Sequence, residues 1–226
     1  QRPGVFLERG RLFVAVADAE AAAEVNVAER DALGLQPVGE LEYTVERGGE
    51  WQTAIRLEDP GHLEIGYTQA FPIAFVYAPQ PQRVLMVGLG GGAFPRFLRS
   101  RFPNLSIDIV EIDPDVVEVA ISHFGFREDA HMRAYVADGR RFIESRTGAY
   151  DVVFLDAYGV DNVPYHLATR EFLQSVRAAL TPGGVVVSNL WDPNSNPLYA
   201  SMVQTYRTAF PEVTIMRVPD DDNRLV

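Results

Sequence analysis

The chain has 226 residues, room for one large domain or one domain with a small appendage, and 47% hydrophobic residues supply a sizeable core. With no cysteine, disulfides, thiolate metal sites and a cysteine nucleophile are excluded. A net charge of −11 disfavours nucleic acid, whose phosphates demand Lys and Arg, and better suits a small cationic partner.

No apolar run approaches the ~18 residues of a membrane helix, so a soluble, cytoplasmic chain without a membrane partner is expected. The sequence opens on Gln1, which leaves room for a removed targeting segment.

Residues 1–66 are expected to form a β-rich N-terminal domain. Short β-like runs occur at Leu12–Val16, Leu41–Glu46, Gln52–Leu57 and His62–Ile65. Gly48-Gly49 reads as a hairpin turn and Asp59-Pro60-Gly61 as another. Asp18–Ala32, rich in Ala and Glu, is open between helix and loop. Tyr67–Tyr77 reads as a helix with Pro72 in its first turns.

From Arg83 onward strands alternate with helices, the pattern of a parallel sheet with crossover helices. Strands are expected at Arg83–Gly88, Ser106–Glu111, Met132–Ala137, Tyr150–Asp156, Gly184–Leu190 and Val213–Val218. The run from Tyr150 is apolar throughout its interior, as a strand covered on both faces should be. Helices are expected at Gly92–Phe102, from Asp113-Pro114 to about Phe124, around Arg140–Ser145, at Thr169–Leu180 and from Asn196-Pro197 to about Phe210. Thr181-Pro182-Gly183-Gly184 reads as a turn. Asp220–Asn223 reads as a tight turn, and Arg224-Leu225-Val226 as the start of a strand antiparallel to the sixth, with the natural chain continuing a few residues further. The expected architecture is α/β: a Rossmann-like, seven-stranded, mostly parallel sheet over residues 67–226, with flanking helices.

The chemistry gathers at the carboxyl ends of these strands, where open α/β sheets bind ligands. Gly88-Leu89-Gly90-Gly91-Gly92 forms the first turn, and its glycines let the backbone pass close to a ligand. Glu111, about twenty residues on, can accept hydrogen bonds from both hydroxyls of a ribose. Asp138-Gly139 follows the third strand, where the acid can meet an adenine amino group, cap the next helix, or both. Asp156 follows the fourth strand and faces the crevice. A bare glycine turn, a surface acid at Glu111 or a structural carboxylate at Asp156 would each look the same alone; four such groups on four consecutive turns argue for a ligand. Gly88, Gly90 and Ala93 also fit the looser dinucleotide fingerprint, but acids at Asp138 and Asp156 sit badly beside a pyrophosphate. His62, His123 and His131 do not fall at metal-ligand spacing, so no metal is expected. His166 lies in the loop over the crevice, open between a role there and bonds to backbone carbonyls; Tyr158 and Tyr165 lie where they can wall an acceptor pocket, and Trp191 is similarly placed, with packing its default role.

Gly88–Gly92, Val110-Glu111-Ile112-Asp113, Ala137-Asp138-Gly139 and Tyr150–Asp156 resemble the spermidine synthases and their relatives, the polyamine aminopropyltransferases. The resemblance runs from about Tyr67 to Leu190. It implies an adenosyl cofactor without metal, with Glu111 on the ribose, Asp138 on the adenine and Asp156 in the catalytic crevice. It also implies substrate-lining residues at Tyr67-Thr68-Gln69 and a homo-oligomer.

Two departures qualify it. The family usually reads Gly-Gly-Gly-Asp-Gly in the first loop, its Asp holding the amine of decarboxylated S-adenosylmethionine; that position is Gly91 here. It also reads Asp-Ser-Ser/Thr-Asp after the fourth strand, whereas this chain runs Asp156-Ala157-Tyr158-Gly159-Val160-Asp161, its second acid displaced by two residues. The loop Asp161–His166 resembles a divergent bacterial branch often called spermidine synthase-like.

The favoured reading is S-adenosylmethionine-dependent methyl transfer to a small acceptor, with Asp156 or His166 orienting or deprotonating the nucleophile. Gly88, Gly90, Gly91, Glu111, Asp138, Gly139 and Gln69 would bind the cofactor, and Tyr67, Tyr158 and Asp161 the substrate. Aminopropyl transfer from decarboxylated S-adenosylmethionine is the alternative, and a catalytically silent nucleoside-binding module is the third reading.

Overall fold

The strand residues Val84–Val87 and Val152–Leu155 are all buried, and they alternate between two separate apolar layers. Val84, Met86, Val152 and Phe154 face one layer; Leu85, Val87, Val153 and Leu155 face the other. A strand apolar on both faces requires cover on both, which is the physical reason for a three-layer α/β arrangement.

The computed structural model describes residues 61–122, 124–158, 163–219 and 222–226, together with the backbone of four strands that precede them. These four are β1 (Val5–Phe6), β2 (Phe13–Val16), β3 (Glu42–Arg47) and β4 (Glu50–Arg56). They form one antiparallel sheet in sequence order. Arg47 lies opposite Glu50, so only Gly48-Gly49 separates the paired ends of β3 and β4. The segment Asp18–Ala32 and the turn residues Asp59 and Pro60 lie outside the described residues.

The second sheet contains β5 (Arg83–Val87), β6 (Ser106–Glu111), β7 (Met132–Val136), β8 (Tyr150–Leu155), β9 (Leu180–Trp191), β10 (Met216–Arg217) and β11 (Asn223–Leu225). Its order is β10-β11-β9-β8-β5-β6-β7. The five strands from β9 to β7 run parallel, and β11 is antiparallel to both neighbours. The expected seven-stranded, mostly parallel sheet is therefore present. Because β5 pairs with β6 on one side and β8 on the other, the chain reverses its winding there and leaves a crevice above β5.

Helices α1 (Gly66–Ala70) and α2 (Ala74–Tyr77), joined by a 3-10 turn at Phe71–Ile73, precede the sheet. Pro72 has no N–H to give to a continuous helix, so the expected single helix becomes three short pieces. Helix α3 (Ala93–Arg101) follows β5, and α4 (Pro114–Ser122) follows β6, with Asp113 Oδ1 accepting the Asp115 N–H at 2.9 Å. Helices α5 (Gly139–Glu144), α6 (Arg170–Ala179) and α7 (Tyr199–Ala209) contribute to the other apolar layer. Thr169 caps α6 through the Phe172 N–H, 3.2 Å away.

Three expectations need correction. His62–Ile65 is not a strand: side chains of Gln69 and Thr68 take the carbonyls of Leu63 and Ile65, both at 2.6 Å, and Ile65 leads into α1. The turn at Thr181–Gly184 does not precede β9 but lies within it. Tyr150 and Val152 oppose Leu180 and Val185, so the extra residues of β9 form a bulge, with Gly183 at φ 81°. The sixth strand shrinks from Val213–Val218 to Met216–Arg217, because β11 offers only a three-residue partner.

Phe154 anchors the first apolar layer, fully buried, with ring centroids 4.9 Å from Phe94 and 5.3 Å from Phe71. Phe154→Ala is expected to destabilise the fold by about 3–5 kcal/mol, read from the urea unfolding midpoint. A loss below about 1 kcal/mol would show that this layer collapses freely around the gap.

Candidate active site

Backbone hydrogen bonds continue the sheet one residue past its strands and hold three turns side by side. Gly88 donates to Val110 O, Asp156 to Val87 O and Ala137 to Glu111 O, each at 2.9 Å. At the centre the approach is extreme. A Cβ on Gly88, whose φ is 102°, would stand 2.3 Å from the Asp156 carbonyl oxygen. Glycine is required there for both reasons. Gly90 and Gly92 also have positive φ, 53° and 75°, while Gly91 lies outside that set.

Glu111, at the end of β6, ties the glycine turn to the start of the next loop. Its Oε2 accepts the Leu89 N–H and its Oε1 the Asp113 N–H, each at 3.0 Å. Each carboxylate oxygen keeps a second acceptor site, so a diol can still be held. Beside it Ile112 is 63% exposed, and Val136, opposite Glu111 at the end of β7, is 55% exposed. Apolar side chains exposed at the mouth of a crevice offer a surface for a flat ring. Gly139 belongs to the same corner, packed so that a Cβ would stand 2.6 Å from Val87 Cγ1. The glycine turn, the Glu111 acceptors and the apolar mouth suit, by their chemistry, a diol joined to a flat ring.

Asp138 takes one of the two roles open to it in sequence, the helix cap. Oδ1 caps α5 through the Arg141 N–H at 2.9 Å, and Oδ2 lies 3.2 Å from His166 Nε2. Arg140 Nη1 donates to the His166 carbonyl at 3.1 Å and to Thr169 Oγ1 at 3.3 Å, fastening the loop before α6 to α5. His166 is thus paired with Asp138. Tyr165, its neighbour, is 85% exposed.

The other end of the crevice centres on Asp156. Tyr67 Oη donates to Oδ2 at 3.2 Å, and Asn189 Nδ2 donates to Oδ1 at 3.1 Å. Burial pushes the Asp156 carboxyl up to about 7, against the opposing pull of the Asn189 and Tyr67 hydrogen bonds. Tyr158 stacks on Trp191 with centroids 5.0 Å apart and donates to the Asn189 carbonyl at 2.8 Å. Burial, followed by the nearby Asp156 carboxyl, pushes the Tyr158 hydroxyl far up. Gln69 is exposed and donates to the Leu63 carbonyl, tying down the segment before Tyr67. Asp161 lies outside the described residues, as does His123. Among the described residues no group of three or more His, Asp and Glu could hold a metal.

Asn189 was not singled out by sequence, although a polar Ser188-Asn189 pair near the end of an apolar strand was a signal. It is 3% exposed, and its Oδ1 has no hydrogen-bond partner among the described residues. A buried acceptor left so costs about 1–3 kcal/mol.

Sheet order, crevice and glycine turn together define a Rossmann-like fold of the methyltransferase type. The model of the spermine/spermidine synthase domain matches residues 71–219, and the chain belongs to that family. A polyamine aminopropyltransferase of Vibrio vulnificus is 34% identical over 193 residues, covering 82% of this chain and 63% of that protein. The human eEF1A lysine and N-terminal methyltransferase is 35% identical over 158 residues, covering 65% of this chain and 22% of that one. The crystal structure of human methyltransferase-like protein 13 in complex with SAH matches with a TM-score of 0.61 at 32% identity, over 71% of this chain and 80% of that one. The chain therefore spans less than two thirds of the length of these two curated relatives. Transferases of two kinds stand among them. Among the described residues no helix is long and apolar enough to cross a membrane.

A carboxyl raised from 3.8 to about 7 in the fold opposes folding wherever the unfolded chain is charged and the folded one resists charging. That penalty is absent below about pH 4, grows through the interval and is complete above about pH 7. Asp156→Asn removes it. The melting temperature of this variant, minus that of the unmodified protein, is expected to rise by several degrees between about pH 4 and about pH 8. Thermal melts across that range check it, and a difference independent of pH would return Asp156 to the ordinary carboxylate range.

Proposed function

We propose that this chain is the catalytic domain of an S-adenosylmethionine-dependent transferase that methylates an amine, with a small cationic acceptor. One observation carries the choice of donor: the first βα turn presents Gly91 where the family pattern has an acid. Backbone N–H groups ahead of the nine-residue α3 favour an anion, and no side-chain carboxylate from Gly88–Gly92 opposes the carboxylate that S-adenosylmethionine carries. The similarity to a methyltransferase structure holding SAH supports the same choice.

In this reading Glu111 binds the ribose, Asp138 the adenine amino group, and Ile112 with Val136 flank the ring. When bound, the sulfonium supplies an electrophilic carbon, whose bond to sulfur breaks, leaving the electron pair on sulfur, as its bond to the acceptor nitrogen forms. Asp156 is the base. A carboxyl raised to about 7 holds a transferred proton far better than an ordinary one, and it accepts the N–H proton of the acceptor. Tyr67 and Asn189 fix that carboxylate from two sides, while Tyr158 and Trp191 wall the acceptor. His166 acts through Asp138, holding the loop over the adenine end. The negative net charge favours approach of a cation.

Aminopropyl transfer is the second reading, favoured by the Vibrio relative that aligns with 82% of this chain. The two differ in whether the donor carries a carboxylate. The unmodified protein is expected to bind S-adenosylmethionine at least as tightly as its decarboxylated form. Gly91→Asp should move the preference towards the decarboxylated form by about 1–3 kcal/mol, with Gly91→Ala as the control for loop damage. Calorimetric titrations of both donors decide it; tighter binding of the decarboxylated donor by the unmodified protein favours aminopropyl transfer.

Glu111→Ala is expected to weaken S-adenosylhomocysteine binding by about ten- to a hundredfold, the scale of charged hydrogen bonds to a diol. Unchanged affinity would remove the ribose from this carboxylate.

A further inference from the structure

Asn189 holds the catalytic carboxylate with one end of its amide and leaves the other end unused. Nδ2 donates to Asp156 Oδ1 at 3.1 Å, and the backbone carbonyl accepts from Tyr158 Oη at 2.8 Å. Oδ1 is buried and has no donor among the described residues. The amide cannot turn over while Asp156 is ionised, because Oδ1 would then face a carboxylate oxygen. Asp156 Oδ2, which accepts from Tyr67 Oη at 3.2 Å, keeps a second acceptor site, and Asn189 Oδ1, on the amide bonded to the same carboxylate, has no donor among the described residues. Holding Asp156 needs only a donor. The retained, unpaired acceptor points to a further partner that brings an N–H.

We propose that Asn189 Oδ1 is the second acceptor for the nucleophilic nitrogen, so that the site grips an amine through two N–H groups. This rests on the reading of the acceptor as an amine. A neutral primary amine has two N–H groups and one lone pair. With one N–H on Asp156 and one on Asn189, the lone pair is left for the carbon of the donor. As the nitrogen–carbon bond forms, the nitrogen becomes cationic, its N–H on Asp156 loses the proton to that carboxylate, and its N–H on Asn189 remains. A hydroxyl nucleophile has one hydrogen and a tertiary ammonium one N–H; either leaves Asn189 Oδ1 unpaired, and a buried unpaired acceptor is a strong basis for rejection. Asn189 thus selects nitrogens that carry at least two hydrogens.

The test uses the complex with 5′-methylthioadenosine, the portion common to both candidate donors, and two probes, n-butylamine and N,N-dimethylbutylamine. Both are ammonium ions at about pH 8.5, the first with three N–H groups and the second with one. Calorimetric titration is expected to show the unmodified protein preferring n-butylamine by roughly tenfold or more. Asn189→Leu should bring the two amines within about twofold while 5′-methylthioadenosine affinity holds. Asn189→Ala serves if the leucine variant fails to bind the nucleoside. Asp156→Asn should weaken both amines and narrow their ratio, because the single N–H of the tertiary ammonium is then left for Asn189. A ratio near one in the unmodified protein, or the same ratio in it and in the Asn189 variants, overturns the proposal. If neither amine binds the unmodified protein, the amine-acceptor reading falls first and takes this proposal with it.

Discussion

Strands β5 and β8 end so close together that a single methyl group on Gly88 would stand 2.3 Å from the Asp156 carbonyl oxygen. The two βα turns can share one crevice only because that position carries no side chain. The same contact brings Asp156 to the rim of the glycine turn. Bonds from Asp156 N to Val87 O and from Gly88 N to Val110 O then fix β8, β5 and β6 in one plane. Glu111 at the end of β6 reaches back to Leu89 and completes the rim. Every other polar group at the crevice is positioned relative to this approach.

The cost of the arrangement falls on Asp156. Its carboxyl is desolvated, which pushes it up to about 7, and its two hydrogen bonds reverse only part of that shift. Those bonds come from distant parts of the chain. Tyr67 precedes the sheet, 89 residues away, and Asn189 lies near the end of β9, 33 residues later. Both donors are buried residues, and Tyr158 stacked on Trp191 closes over the Asn189 carbonyl. A carboxyl so desolvated is held from two sides by groups that long-range packing brings to it.

The Rossmann-like part was legible to within one or two residues in most places. Apolar runs bounded by Gly, Asp and Pro have few alternatives: Ser106–Glu111 was read with its observed bounds, and the caps at Asp113, Asp138 and Thr169 are the residues that start α4, α5 and α6. The misreadings share a cause. His62–Ile65 has strand-like alternation, yet its carbonyls are claimed by Thr68 and Gln69 side chains, a competition that no period reveals. Thr181–Gly184 has turn chemistry, yet pairing with β8 continues on either side and turns it into a bulge. Val213–Val218 has strand composition, yet its length is limited by the partner that β11 presents. In each case a neighbour, rather than the segment, decided.

The same division holds at the site. The amino-acid sequence by itself determined the glycine turn, Glu111, Asp138 and Asp156, because each follows a recognisable strand, and the carboxyl ends of parallel strands share one edge of the sheet. Tertiary structure alone decided which of these groups meet. Strand order cannot be read from local pattern, so the pairing of β5 with β8, and with it the contact between Gly88 and Asp156, had no local signal. Nor did the pairing of His166 with Asp138, since a loop residue's partner depends on how the loop folds back. Asn189 is the clearest instance. Its amide lies beside Asp156 because β9 lies beside β8 in parallel register, and it is buried there, with Tyr158, stacked on Trp191, bonded to its backbone carbonyl. A single polar letter at a strand end carries neither fact; both come from long-range packing, in which burial turns an ordinary amide into a fixed acceptor.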